Sequence, residues 1–129
     1  MIRQPVDKRS FIRIPFKTEA EVFVDKRVIR SDQGIDVSMK GLRLVTDELV
    51  EPGTLCRAVI RLQGEIPPVI IEASGTIVRS APGSLAVEFI ELDFDSYQHL
   101  RRLILLNADN PEKAEAEFIA HWGIRNPAA

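Results

Sequence analysis

A single cysteine, a single tryptophan, a single tyrosine and two histidines in 129 residues narrow the chemistry this chain can perform. Cys56 alone cannot form an internal disulfide or a CxxC pair. It falls in an alternating stretch with Ala58, Ile60 and Leu62, the setting of a buried and inert thiol. His99 and His121 fall on separate predicted helices with neither HxH nor HxxxH spacing, so a zinc site is not supported. A phosphate-cradling GxxxxGKS/T loop and a GxSxG nucleophile elbow are both missing. Phosphodiester hydrolysis needs a metal cluster or a positioned base and nucleophile, so no enzyme is expected. Aromatic residues make up 6% of the chain, too few to furnish the strands of a nucleic-acid-binding barrel with stacking platforms. No apolar run approaches the roughly 20 residues that span a bilayer, and Met1-Ile2-Arg3-Gln4-Pro5-Val6-Asp7 lacks the apolar core of a signal peptide. A cytosolic protein without membrane insertion is the expectation.

What is present suits one folded domain. Hydrophobic residues reach 45%, rich in Val, Ile and Leu, which is enough for a real core. The net charge of −2 conceals an asymmetry. Residues 1–43 hold ten Lys/Arg against six Asp/Glu, a net +4, whereas 44–129 hold seven against thirteen, a net −6. A local positive field in the first part attracts a small anion, while a long nucleic acid meets the negative remainder.

Hydrophobic periodicity alternates first and turns helical later. Thr18 to Asp25 sets Ala20, Val22 and Val24 against Glu19, Glu21, Phe23 and Asp25, the period of a strand. Further strands are predicted over Ile29–Ile35, Leu42–Val45, Cys56–Leu62, Val69–Arg79 and Leu85–Glu91. Turn signals at Glu51-Pro52-Gly53, Gln63-Gly64-Glu65 and Ala81-Pro82-Gly83-Ser84 separate them. Six short, evenly punctuated strands predict an antiparallel barrel, which leaves no exposed sheet edges. After Asp95, Leu100, Leu103, Ile104 and Asn107 share a helical face, with Asp95 or Ser96 as the predicted cap. A second helix is predicted from Asp109-Asn110-Pro111 to Trp122, stopped by Gly123, with an apolar stripe of Ala114, Phe118, Ile119 and Trp122 covering the barrel or the first helix.

Two short motifs carry the functional signal. Arg9-Ser10-Phe11-Ile12-Arg13 reads RxxxR, and Asp36-Val37-Ser38-Met39-Lys40-Gly41 reads DxSxxG. Guanidinium forks clamp phosphate or the O6/N7 edge of guanine and stack on bases. Asp36 adds an acceptor for the N1–H and N2–H₂ donors of guanine, Ser38 adds a hydroxyl, and Gly41 removes a side chain where close approach is needed. The set reads as a receptor for a guanine nucleotide.

In their order and separation the two motifs resemble the PilZ domain, a family of small β-barrels that bind the second messenger cyclic di-GMP. The likeness covers nearly the whole chain: the strands end at Leu85-Ala86-Val87-Glu88-Phe89-Ile90, and residues 93–103 resemble the start of the helix in free-standing members. The resemblance implies a flexible amino-terminal arm over 1–15, a six-stranded barrel over 16–93 and carboxy-terminal helices of the same domain over 94–129. It implies that Lys8, Arg9 and Arg13 fold over the ligand, which rests on Asp36, Ser38 and Gly41. A late strand commonly offers a base contact; here Ile77 stands where a tryptophan is sometimes found, and Arg79 is the candidate substitute. Lys8, basic and directly before Arg9, resembles the class that takes up two intercalated ligand molecules. The implied function is a receptor that uses no cofactor, changes arm conformation on binding cyclic di-GMP and signals to a downstream protein. The rival is a PilZ-like adaptor that binds a protein without nucleotide.

Overall fold

The computed structural model describes residues 14–16, 19–33, 35–62 and 69–121. Eight strand segments come first: β1 (Ile14–Phe16), β2 (Glu19–Val24), β3 (Arg27–Ser31), β4 (Ile35–Ser38), β5 (Gly41–Leu44), β6 (Leu55–Leu62), β7 (Val69–Ala81) and β8 (Ser84–Leu92). Two helices follow, α1 (Phe94–Asn107) and α2 (Pro111–His121). All strand pairs are antiparallel, in the order β1-β4-β5-β8-β7-β6-β2-β3.

Eight described segments stand where six strands were expected, and the register relates four of them. Ile14 pairs with Val37 and Ala20 with Ser31, so six residues forward along one side match six residues back along the other. β1/β4 and β2/β3 are therefore in one register. On its other side β2 pairs with β6, and β4 with β5. This hairpin thus joins both ends of the run β5-β8-β7-β6 and curls the sheet into a barrel-like form. Ile14 and Pro15, expected in the arm, belong to β1.

Short connections follow local chemistry. Pro82-Gly83 links Ala81 to Ser84, with Gly83 at φ 87° supplying the positive φ that the third position of a type II turn demands. Register shifts in β7 between Ser74 and Gly75 and between Ile77 and Arg79 bend the sheet.

Inward residues form one core, including Val22, Ile29, Leu44, Ile60, Ile71, Ile77 and Leu85, and it continues into Leu100 and Ile104 of α1 and Phe118 of α2. The Tyr97 and Phe118 rings meet edge-on at 5.8 Å, and Arg101 pairs with Glu115 between the helices. Ala114 and Phe118 are buried as expected, but Ile119 is 63% exposed. One residue past Phe118 is about 100° around the helix, which turns Ile119 away from that stripe. Trp122 and Gly123 lie outside the described residues.

The α1 cap is Asp93 rather than Asp95 or Ser96, its carboxylate accepting from the Ser96 amide at 2.7 Å. Ser96 is used elsewhere: its buried hydroxyl accepts from the Glu72 amide of β7 at 2.9 Å. Among the described residues no helix is long and apolar enough to cross a membrane.

Candidate functional site

DxSxxG forms the hairpin between β4 and β5. Ser38 pairs with Gly41 across the two-residue loop Met39-Lys40. The Ser38 hydroxyl, on a residue only 7% exposed, accepts from the Lys40 amide at 3.2 Å. Met39 is buried in the core and pins the loop from below. The Lys40 carbonyl accepts from the Phe89 amide at 2.7 Å, and its ammonium lies 3.8 Å from Glu88. Much of this motif is therefore turn architecture.

Gly41 is dictated by the neighbouring strand. A Cβ there would overlap the Val87 carbonyl oxygen and stand 3.1 Å from the Glu88 Cα. Gly75 meets β8 from the opposite side, where a Cβ would be 2.6 Å from the Glu88 carbonyl oxygen. Two glycines thus let β5 and β7 close on one short stretch of β8. The close approach expected of Gly41 is an approach of backbone to backbone.

Cross-strand register builds a polar row on the outer face. Asp36 is opposite Arg43, Arg43 opposite Ala86, and Ala86 opposite Arg79. Their neighbours Ile35, Val37, Leu42 and Leu44 point into the core, so Asp36 and Arg43 point outward. The Arg43 guanidinium donates to Asp36 Oδ2 at 2.6 Å, with both side chains part-exposed. Arg79 is exposed, two strands away across the small Ala86. Ile77 is wholly buried and offers nothing to a ligand.

Arg43 was not among the sequence candidates, although counting finds it. A two-residue loop fixes Ser38 opposite Gly41, so two residues back meets two residues on.

Lys8, Arg9 and Arg13 lie outside the described residues. Arg13 is bonded to Ile14, however, and Ile14 pairs with Val37, between Asp36 and Ser38. The described chain therefore begins one residue after RxxxR, in the strand that pairs with DxSxxG's β4.

The PilZ domain family model matches residues 7–106. The chain belongs to the PilZ family. PilZ domains are binding and adaptor modules and in general bind cyclic di-GMP. A comparison with curated proteins finds no match. Among solved structures, the Bacillus subtilis inhibitor of motility MotI/DgrA is similar at 22% identity and TM-score 0.59 over 77% of this chain and 53% of that one. The present chain thus spans about half of that structure's length. The PilZ domain of CeSA from a cellulose-synthesising bacterium is similar at 20% identity and TM-score 0.55 over 71% of this chain and 93% of that one. These likenesses concern the fold.

In this PilZ domain a hollow of about 590 Å³ opens at the start of α1, lined by Ile70, Glu72, Asp93, Phe94, Asp95, Ser96 and His99. None of these belongs to either motif. The motif-bearing face is built from β4, β5, β8 and β7. No group of His, Cys, Asp and Glu able to hold a metal occurs among the described residues. Burial pushes the Cys56 thiol up to about 11, which keeps it protonated and unreactive.

Proposed function

We propose that this PilZ domain is a receptor for cyclic di-GMP that transmits binding to a downstream protein through the amino-terminal arm. The observation that carries the reading is that β4, which bears Asp36 and Ser38, pairs on one side with the strand continuing from Arg13 and on the other with the strand bearing Arg43. On this reading the cations for two phosphates and the acceptor for a guanine edge share one surface.

Asp36 must exchange partners in this mechanism. Its Oδ2 is held by Arg43. Guanine N1–H and N2–H₂ present a pair of donors much as a guanidinium does, so the base takes the place of Arg43 on the carboxylate. The released guanidinium then neutralises phosphate, and Arg79 adds a cation from the same row. Lys8, Arg9 and Arg13 close over the ligand, and ordering them presents a new surface to the partner.

Calorimetric titration tests this. Cyclic di-GMP is expected to bind, with ATP, GTP and single-stranded DNA competing poorly at equal concentration. Arg9→Ala and Arg13→Ala are each expected to weaken binding by about 2 kcal/mol, the loss of a charge-assisted contact.

A second reading has its own support. Ser38 is satisfied by its own turn and Asp36 by Arg43, so DxSxxG also serves as a folding element. A PilZ adaptor that binds protein without nucleotide needs no more than that. Absence of any heat with cyclic di-GMP from a folded sample selects the adaptor.

A further inference from the structure

Among the described residues a stretch of β7 has no strand beside it past the end of β8, and the hydrogen-bond pattern shows which peptide groups it presents. In β7, the Ile77 amide donates to the Thr54 carbonyl at 2.9 Å and the Ile77 carbonyl accepts from the Gly53 amide at 2.7 Å, both on the β6 side. The Glu72 amide points the other way, to the Ser96 hydroxyl. The β6/β7 register runs without a shift from Leu55/Thr76 to Leu62/Val69. Alternation therefore aims the amide and carbonyl of Ile70, like those of Glu72, away from β6. On that side β8 has already ended, its last pair with β7 being Ala73/Leu92. Ser96 takes the Glu72 amide, whereas the peptide groups of Ile70 have no partner among the described residues.

The hollow at the start of α1 lies against this edge. Its apolar surface comes from Ile70, 39% exposed, and Phe94, 45% exposed. Its charged lining is Glu72, Asp93 and Asp95, with His99 and without a lysine or arginine. Glu72 is held by Arg57 at 2.8 Å and Asp93 caps α1, which leaves Asp95 as the carboxylate with no described partner. Exposed apolar surface beside an unpaired strand edge is what β-strand addition uses: main-chain bonds give affinity, and alternate side chains give selectivity.

We infer that the β7 edge at Ile70, with the hollow formed by Phe94 and Asp95, docks an extended partner segment in which apolar and basic residues alternate. The apolar residue covers Ile70 and Phe94, the basic one faces Asp95, and the segment's backbone bonds to the peptide group of Ile70. This surface is distinct from the motif-bearing face and does not depend on nucleotide binding.

An NMR titration of the full chain with a blocked hexapeptide of alternating lysine and valine tests the inference. The Ile70 amide is expected to exchange at least about tenfold more slowly with peptide present, as a newly formed ladder bond requires. The glutamate–valine peptide and a lysine–valine peptide with an N-methylated backbone are expected not to protect it. Ile70→Pro removes an amide that β6 does not use, so the sheet is kept while the docking bond is lost. Asp95→Lys tests the charge preference in the protein. The inference is overturned by equal protection from the glutamate or N-methylated peptide, by undiminished binding to Ile70→Pro, or by an Ile70 amide already protected without peptide. Should Ile70→Pro fail to fold, the N-methylated peptide still decides the strand pairing on the unaltered protein.

Discussion

At the residue scale, the six positions of DxSxxG divide between structure and recognition. Gly41 belongs to structure, because any side chain there drives β5 off the Val87 carbonyl. Gly41→Ala is expected to lower stability by about 1–3 kcal/mol, the range for overpacking against a backbone that has no room to move. Urea denaturation measures this, and a wild-type midpoint would show that the two strands separate freely. Asp36 is the opposite case. Its pair with Arg43 is part-exposed, so Asp36→Ala is expected to change stability by less than about 1 kcal/mol. On the proposed reading the same substitution weakens cyclic di-GMP binding, because the guanine donors lose their acceptor. Tighter binding by Asp36→Ala would mean that the carboxylate acts only as unwanted negative charge. Cys56 gives a test of the core. Its folded-state thiol titrates above the ordinary value of 9, so the stability it contributes is full below pH 9 and is lost as the pH climbs towards about 11. An alkylating reagent at pH 8 is expected to leave folded protein unlabelled and to label Cys56 on unfolding.

At the element scale, Glu21 links three strands. From β2 it accepts from Arg30 of β3 at 2.7 Å and from Arg61 of β6 at 2.9 Å, while its side chain is only 11% exposed. Those bonds, Arg30's first and then Arg61's, hold its carboxyl below the ordinary 4.5. A depressed folded-state value contributes stability that is full above pH 4.5 and is lost as the pH falls through the folded value. Glu21→Gln, which cannot ionise, is expected to flatten the fall in urea midpoint between pH 5 and pH 3 relative to wild type. Parallel curves would remove Glu21 from acid sensitivity. The strands themselves were legible in the sequence, because inward and outward residues alternate cleanly and Gly or Pro punctuates them. What escaped were matters of register and competition. Arg43 emerges only when Asp36 is counted across the hairpin. The Asp-Phe-Asp-Ser run offers three capping residues, and the choice of Asp93 follows from the Glu72 amide needing the Ser96 hydroxyl. Alternation carries Ile77 into the core behind Ile71, Ala73 and Gly75, and only the bulge after it turns both Val78 and Arg79 outward.

At the scale of the whole molecule, charge is divided unevenly along the chain. Residues 1–13 carry Arg3, Lys8, Arg9 and Arg13 against a single acid, Asp7, and lead directly into the strand that flanks Asp36. On the proposed reading a small polyanion meets the positive part of the molecule first, while the acidic remainder discourages long nucleic acids. On the same reading, how many ligands the face takes depends on how much repulsion the arm offsets. Two stacked cyclic di-GMP molecules bring about four negative charges into contact, and each cation at short range lowers the cost of holding them together. Arg9 and Arg13 supply two such charges and Lys8 a third, as a point charge that neither forks nor stacks. We therefore expect calorimetry on the wild type to give a ratio near two ligands per chain. Lys8→Leu is expected to bring the ratio towards one, because the second ligand then loses a cation and gains only an apolar neighbour. A wild-type ratio near one that the substitution leaves unchanged would show that Lys8 does not set occupancy, and that the arginines hold a single ligand without it.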